Sequence, residues 1–229
     1  MELYEVMRTT PATRDFAEEP VADTVLYRIL DHARFAPSGG NRQGWYVIVV
    51  SDPDTRKRLR DLYVLGWREY TAHVRKGLVP FAAREAGRWP GPAVDLKEAR
   101  RTPAPHRFAD HLDTVPVMVV LVADLGALAV MDNGLDRQSI IGGASIYPFA
   151  HNILLAARNE GLGGVMTSVI ARQEPAVREL LDIPEGYAVA GLMALGKPRK
   201  QITRLRRRPV EKFAYRDRFG GQPFTSGSK

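Results

Sequence analysis

The run VPVMVVLVA, from Val115 to Ala123, constrains the fold of this chain more than any other segment. It is continuously apolar and rich in valine, which is the pattern of a β-strand buried on both faces. Such a strand belongs in the centre of a sheet surrounded by helices. Elsewhere, helical and strand patterns mix without regular β–α alternation, so an α+β fold is favoured over a doubly wound sheet. We expect a single domain over residues 1–229.

The remaining periodicity predicts the other elements of that domain. Helices are expected over residues 21–34, 55–75, 144–159 and 175–181, and strands over residues 45–50, 165–170 and 187–195. Asp23 is the expected N-cap of the first helix, and Gly161–Gly164 is expected to end the third. Residues 76–111 carry five prolines and three glycines. They form an excursion that is either a lid or a disordered segment, and both interpretations stay open.

Residues and motifs that the chain lacks exclude several kinds of site. With no cysteine, it cannot form a disulfide, a thiolate metal site or a cysteine nucleophile. It has neither a G-x-S-x-G motif nor a G-x-x-x-x-G-K-[ST] phosphate loop. His106 and His111, with Asp110 and Asp113, could gather a metal, although a solvated loop is the favoured interpretation. No segment approaches the roughly 18 apolar residues of a membrane span, so we expect a soluble cytoplasmic protein without a signal peptide.

The positive charge is concentrated in one basic arm near the C-terminus, residues 197–218. The whole chain has a net charge of +7, but the arm alone carries ten Lys or Arg and two acids, a net +8. Such a charge suggests nucleic acid, an anionic membrane surface or an acidic ligand, and a solvated tail is the alternative. No RNA-binding aromatic motif or helix-turn-helix pattern supports nucleic acid. Apolar residues at the end of the arm predict that it docks on the body: Pro209, Val210, Phe213 and Tyr215.

A glycine-rich loop over residues 37–44 is the second feature that suggests a ligand. Glycines allow the backbone to approach a ring edge, and arginines bind phosphate oxygens with two parallel hydrogen bonds. Together with the arm, the loop suits a ligand that combines a flat heteroaromatic body with a phosphate. Flavin mononucleotide (FMN) has this anatomy.

The same loop carries a family resemblance. Its sequence, PSGGNRQ followed by Trp45, resembles the A-P-S-x-x-N-x-Q-x-W segment of the FMN-dependent nitroreductases. Three further matches follow in the expected order: Arg14-Asp15-Phe16, residues 150–161 running into Leu162-Gly163, and Gly196-Lys197-Pro198. The resemblance covers roughly residues 4–215.

This resemblance implies an α+β nitroreductase-like fold with a central mixed or antiparallel sheet. It implies an intertwined homodimer with FMN at the subunit interface. It further implies that NADH or NADPH reduces the FMN by hydride transfer, and that a nitroaromatic, a quinone or a similar small-molecule acceptor takes the electrons. Reductive dehalogenation and flavin fragmentation on the same fold are the alternatives. No catalytic side chain is nominated, since such chemistry needs no general acid from the protein.

The resemblance also implies which residues bind the cofactor. Those that reach the flavin from the partner subunit are Pro37, Ser38, Gly39 and Asn41. Those on the other side are Arg14 near the pyrimidine end, Met166, Thr167 and Ser168 beside the N5 edge, and Arg207 and Arg208 at the phosphate. The family usually has a basic residue three or four positions before Arg14, but this chain has Pro11 and Thr10 there. Arg8 or Thr10 is expected to substitute, whereas Arg204 and Arg206 are given no role.

Overall fold

The computed structural model describes residues 1–83 and 87–227. Within these ranges the chain forms seven helices and four strands. The helices are α1 Leu3–Arg8, α2 Asp23–Ala33, α3 Pro53–Arg75, α4 Leu96–Arg101, α5 Arg107–Asp110, α6 Tyr147–Asn159 and α7 Glu174–Leu180. The strands are β1 Trp45–Val49, β2 Val117–Asp124, β3 Gly163–Thr167 and β4 Tyr187–Gly196. None of the described helices combines the length and the apolar character that crossing a bilayer requires.

The four strands form one sheet in the order β1-β2-β4-β3, and every neighbouring pair is antiparallel. The predicted central strand is confirmed, because the first seven residues of β2 are all buried. Met118 and Val120 point to a core that includes Leu59 of α3. Val119 points to the opposite core, which contains residues of α2 and α6. Helices therefore cover both faces of the sheet.

Two predicted boundaries were wrong in an informative way. Asp23 is the first residue of α2 rather than its N-cap, because the Ala22 carbonyl already accepts the first helical hydrogen bonds. Its carboxylate lies in the first turn, where the helix dipole favours it. The strand expected over residues 165–170 instead spans Gly163–Thr167, since the glycine pair belongs to the strand and not to the preceding turn. Residues Val169–Gln173 form a 3-10 turn.

The excursion at residues 76–111 is described by the structure except for residues 84–86, which lie outside the described residues. It contains α4 and α5, and it packs on α3. Trp67 donates its ring N–H to the Ala104 carbonyl at 3.1 Å, and Phe108 is buried in the core. No cluster of three metal-ligating side chains occurs among the described residues. Asp113, one of the suggested ligands, accepts a hydrogen bond from Arg60 at 2.9 Å instead.

The basic arm docks through its beginning rather than through its apolar end. Ala17 donates its backbone N–H to the Lys197 carbonyl at 2.8 Å, and Arg199 donates to the Asp15 carbonyl at 3.1 Å. Phe213 and Val210, which were expected to be anchors, are instead 56% and 47% exposed. The arm therefore returns along the chain's own N-terminal segment.

Candidate functional site

The N-terminal segment lies directly against the outer edge of β3. Thr13 donates its backbone N–H to the Gly164 carbonyl at 2.9 Å, and Ala12 forms a parallel bridge with the same glycine. A Cβ at Gly163 would lie 2.6 Å from the Thr13 hydroxyl oxygen, so only glycine permits this approach. The pair Gly163-Gly164 therefore serves packing and places Thr13, the residue before Arg14, beside the beginning of β3.

A hydroxyl pair occupies the end of β3 near Arg14. The Tyr63 hydroxyl from α3 lies 3.2 Å from the Thr167 hydroxyl, and both residues are buried. Burial raises the pKa of Tyr63, while the hydrogen bond with Thr167 and the positive charge of Arg14 partly oppose that rise. Of the neighbouring predicted residues, Met166 is half-buried and Ser168 is exposed. Sequence reasoning missed Tyr63, which carries no motif and follows the apolar spacing of α3.

A cavity of about 520 Å³ opens next to Arg14. Its lining includes the apolar Phe16 and Phe108 as well as several charged side chains. The carboxylate of Asp15 lies 3.4 Å from Arg107, and the carboxylate of Glu18 lies 3.3 Å from Arg199. Among the described residues, Arg107 and Arg199 are therefore paired with acids, whereas Arg14 has no carboxylate within 4 Å.

A second concavity, of about 420 Å³, lies where the arm meets the end of α1. We call it the arginine groove; its lining residues are Met7, Arg8, Thr203, Arg204, Leu205 and Arg207. No acid lines it, and within the described ranges none of its arginines has a carboxylate within 4 Å. Two predicted residues, Arg8 and Arg207, thus come together here with Arg204, to which sequence reasoning gave no role.

Two other predicted cofactor-binding residues, Arg208 and Thr10, do not line this groove. Arg208 is exposed and is not among the side chains that line the groove. The Thr10 hydroxyl donates to the Val6 carbonyl at 2.6 Å, so its proton is already used at the end of α1. The arginine groove therefore owes its positive charge to Arg8 and to the arm.

The loop at residues 37–44 is tightly held and unusually strained. Asn41 and Gln43 have φ values of 53° and 50°, in the left-handed region that few side chains adopt. Gly39 donates its N–H to the Ser145 hydroxyl at 3.0 Å, and the Ser38 hydroxyl accepts from the Gln43 backbone at 2.9 Å. Pro37, Gly39 and Asn41 are exposed and Ser38 is half-buried. Strain maintained by surrounding hydrogen bonds is typical of ligand clamps.

This loop does not join the other predicted residues within one chain. It leads into β1 at one edge of the sheet, whereas Thr167 ends β3 at the opposite edge. Three strand spacings separate the two edges, or about 14 Å. One chain alone therefore presents two separate halves of the predicted site.

A buried ion cluster links the excursion to the segment that follows β3. The Glu69 side chain is fully buried in α3 and accepts from Arg100 at 2.7 Å and from Arg172 at 2.9 Å. The Arg172 guanidinium lies over the rings of Phe81 and Trp89, at 5.4 and 5.1 Å from their centroids. Arg172 belongs to the 3-10 turn directly after Ser168. The Glu69 cluster therefore connects the excursion to the segment that follows β3.

The arginine groove and Arg14 match two chemical groups of FMN, its phosphate and its pyrimidine ring. A dianionic phosphate fits the arginine groove, because arginines there have no competing acid. The cation of Arg14 fits the electron-rich pyrimidine end, and the segment between Arg8 and Arg14 contacts the outer edge of β3 at Ala12 and Thr13. The donor set on this side of the sheet therefore fits FMN.

Comparisons with known proteins agree with this fold. The nitroreductase family model matches residues 7–197. Iodotyrosine deiodinase 1 of Rattus norvegicus is 28% identical over 203 residues, which are 88% of this chain and 64% of that protein. A putative NADH dehydrogenase/NAD(P)H nitroreductase of Archaeoglobus fulgidus is 26% identical over 202 residues, which are 87% of both chains.

A solved structure shows the same architecture. NADPH:FMN oxidoreductase of Vibrio harveyi, in complex with NAD+, superposes with a TM-score of 0.64 at 20% identity, covering 94% of this chain and 77% of that one. The expected nitroreductase-like α+β fold is confirmed, with an antiparallel sheet. This chain spans less than two thirds of the rat deiodinase. Since the family model covers most of the sequence, the chain belongs to the nitroreductase family.

Proposed function

We propose that this chain is a cytoplasmic FMN-dependent oxidoreductase that takes electrons from NADH or NADPH and passes them to a small nitroaromatic or quinone acceptor. The observation that carries the proposal is the N-terminal strip, Arg8 to Arg14, which contacts the outer edge of β3 at Ala12 and Thr13. It has an uncompensated cationic groove at Arg8 and a second cation at Arg14. Bound FMN would supply the two-electron redox chemistry, since it accepts a hydride and releases electrons to an acceptor.

The side chains of the strip have separate roles in this proposal. Arg207 in the arginine groove holds the phosphate, and Arg14 places a positive charge where negative charge develops on reduction. Thr167 and the backbone of Met166 would lie beside the reactive edge of the bound ring. The hydrogen bond between Tyr63 and Thr167 fixes the orientation of the Thr167 hydroxyl.

The second half of the site comes from another copy of the chain, so the active protein is a homodimer. The strained loop with Ser38 and Asn41 lies about three strand spacings from β3 of its own chain. Several large apolar side chains close to the loop in sequence or in space are exposed: Phe35, Tyr46, Met131, Ile140 and Tyr147. Exposed apolar groups of this kind often mark a surface for association. A partner copy would cover them and bring its loop to the strip.

The role of Arg14 can be tested by its effect on flavin reduction. Arg14→Ala should slow FMN reduction by NADH or NADPH in anaerobic stopped-flow by about tenfold or more, because one charge-assisted contact is lost. FMN affinity should fall by less, since the phosphate contacts remain. The exposed Arg101 on α4 provides the control substitution, Arg101→Ala. Reduction rates equal to those of the control would contradict the assignment.

Reductive dehalogenation is a second candidate, favoured by the similarity to iodotyrosine deiodinase 1. Both candidates use the same strip, so the acceptor distinguishes them. The FMN-loaded protein, reduced anaerobically by each nicotinamide, would be mixed with nitroaromatics, quinones and halophenols. Fast reoxidation by nitroaromatics or quinones without halide release supports the main proposal. Halide release from a halophenol, measured with an ion-selective electrode, supports dehalogenation.

A further inference from the structure

His73, near the end of α3, is a buried histidine that takes no part in the proposed flavin site. Its side chain is 1% exposed. Nδ1 lies 2.8 Å from the Glu69 carbonyl oxygen, and Nε2 lies 3.3 Å from the backbone nitrogen of Ala93 in the excursion. A carbonyl oxygen can only accept, so Nδ1 carries the proton and Nε2 accepts from the Ala93 N–H. The ring is therefore neutral in this arrangement, and both of its nitrogens have a partner.

The contact with His73 is the polar attachment of one part of the excursion, residues 89–94. Among the described residues, the Ala93 N–H forms the only hydrogen bond between this segment and the rest of the protein. Pro90 and Pro92 have no N–H to donate, and Gly91 turns the backbone with a φ of 100°. The position of residues 89–94 on α3 therefore depends on the acceptor that His73 provides.

A second proton on His73 would break this contact. Nε2 would then become a donor that faces the Ala93 N–H, and two donors cannot share a hydrogen bond. Ala93 is exposed, so water can satisfy its N–H once the segment moves away. The buried ring, in contrast, reaches water only when the segment has moved. Proton uptake by His73 and release of residues 89–94 are therefore coupled.

The charged groups that pack on this part of α3 offer His73 no new ion pair. Glu69 of α3 itself contributes one negative charge, and Arg100 of α4 and Arg172 of the 3-10 turn contribute two positive charges. Both arginines already bind the Glu69 carboxylate, one at each oxygen. Release of the segment is therefore the route by which a protonated His73 gains a partner, namely water.

The other titratable groups near His73 are also engaged or uncharged. Asp95, two residues after Ala93, caps α4 by accepting from the backbone of Lys97 at 2.7 Å. Phe81 packs on the His73 ring with the two centroids 5.3 Å apart, and the Tyr70 ring contacts the same phenylalanine. Within the described ranges, aromatic rings and a backbone N–H therefore form the contacts that the excursion makes with His73.

We propose that His73 is a pH-sensitive latch, which holds residues 89–94 on α3 while it is neutral and releases them when it is protonated. Histidine is the side chain whose charge ordinarily changes between about pH 5 and 8. The segment also carries Trp89, whose ring centroid lies 5.1 Å from the Arg172 guanidinium, so its release removes a contact from the turn that follows β3. The latch is independent of the proposed flavin chemistry.

Hydrogen exchange at the Ala93 amide tests the latch, measured by NMR on the full-length protein between pH 8 and pH 5. Protection factors remove the intrinsic pH dependence of exchange. The ¹⁵N shifts of the His73 ring, recorded on the same samples, report its tautomer and its protonation. His73→Gln keeps an acceptor but cannot take up a proton. His111→Gln is the matched control, since His111 is an exposed histidine at the end of the excursion.

We expect the protection of the Ala93 amide to fall about tenfold or more between pH 8 and pH 5, in step with protonation of the His73 ring. His111→Gln should show the same fall, and His73→Gln should show none. Constant protection in the unsubstituted protein, or a fall that persists in His73→Gln, would overturn the latch. If His73→Gln does not fold, the unsubstituted protein decides alone. Protection that is lost while the His73 ring stays neutral would then overturn the proposal.

Discussion

Replacing Glu69 by glutamine should destabilise the protein and loosen its excursion. The substitution keeps the shape of the side chain but removes the charge that holds Arg100 and Arg172. The Glu69 side chain is completely buried, and its two oxygens accept from these two arginines at 2.7 and 2.9 Å. The lost contacts join α4 and the 3-10 turn after β3 to α3.

The expected loss of stability follows from the burial of the Glu69 side chain. Removing one partner from a buried ion pair typically costs about 3–5 kcal/mol. Arg100 and Arg172 are 41% and 26% exposed, so both can recover some hydration once Glu69 is gone. We therefore expect the low end, about 3 kcal/mol. For a domain of this size, that loss lowers the Tm by roughly 6–12 °C.

Thermal unfolding followed by circular dichroism measures this directly, with Glu98→Gln as the matched control. Glu98 is an exposed acid on α4, so its substitution removes the same charge without removing a buried contact. Hydrogen exchange should also become faster in residues 87–101 of Glu69→Gln. A Tm within about 2 °C of the control, with unchanged exchange, would refute the reasoning.

Two further predictions concern other buried polar groups. Hydrogen bonds from the Ile140 backbone, Arg137 and Ser139 hold the pKa of Asp132 well below its ordinary value. The ionised Asp132 therefore contributes fully to the stability of the folded protein above about pH 4, and this contribution is lost as the pH falls further. The difference in Tm between the parent protein and Asp132→Asn should thus shrink between pH 6 and pH 3. A constant Tm difference would contradict this. Tyr63→Phe removes the hydrogen bond with Thr167, so the free energy of unfolding in urea should fall by about 1 kcal/mol. No change relative to the parent would show that this contact is not formed.

The fold was predictable where a single pattern of apolar residues determined both the secondary structure of a segment and its burial. The continuous apolar run at residues 115–123 predicted the central strand, and β2 buries both faces because helices cover the sheet on each side. The long helix expected over residues 55–75 begins only two residues earlier, at Pro53, where Asp52 caps it by accepting from the Thr55 backbone. These features depend on local sequence and on a single buried stripe.

Features that depend on distant backbone contacts were not predictable. The sequence alone indicates that Gly163 belongs to a helix-ending turn. Only the close approach of Thr13 shows why a strand begins there. Arg204 reads as one more charge in a basic run, and its place in the groove depends on the backbone bond between Arg199 and Asp15. Tyr63 follows an apolar helical pattern, so its hydroxyl contact has no sequence signal.

The central claim is that two copies of this chain together bind FMN. Sedimentation velocity of the FMN-saturated protein, recorded at both protein and flavin absorbance wavelengths, tests it most directly. We expect one sedimenting species with the mass of two chains that carries one FMN per chain. Flavin that sediments with a single chain, or a protein boundary without flavin, would contradict it.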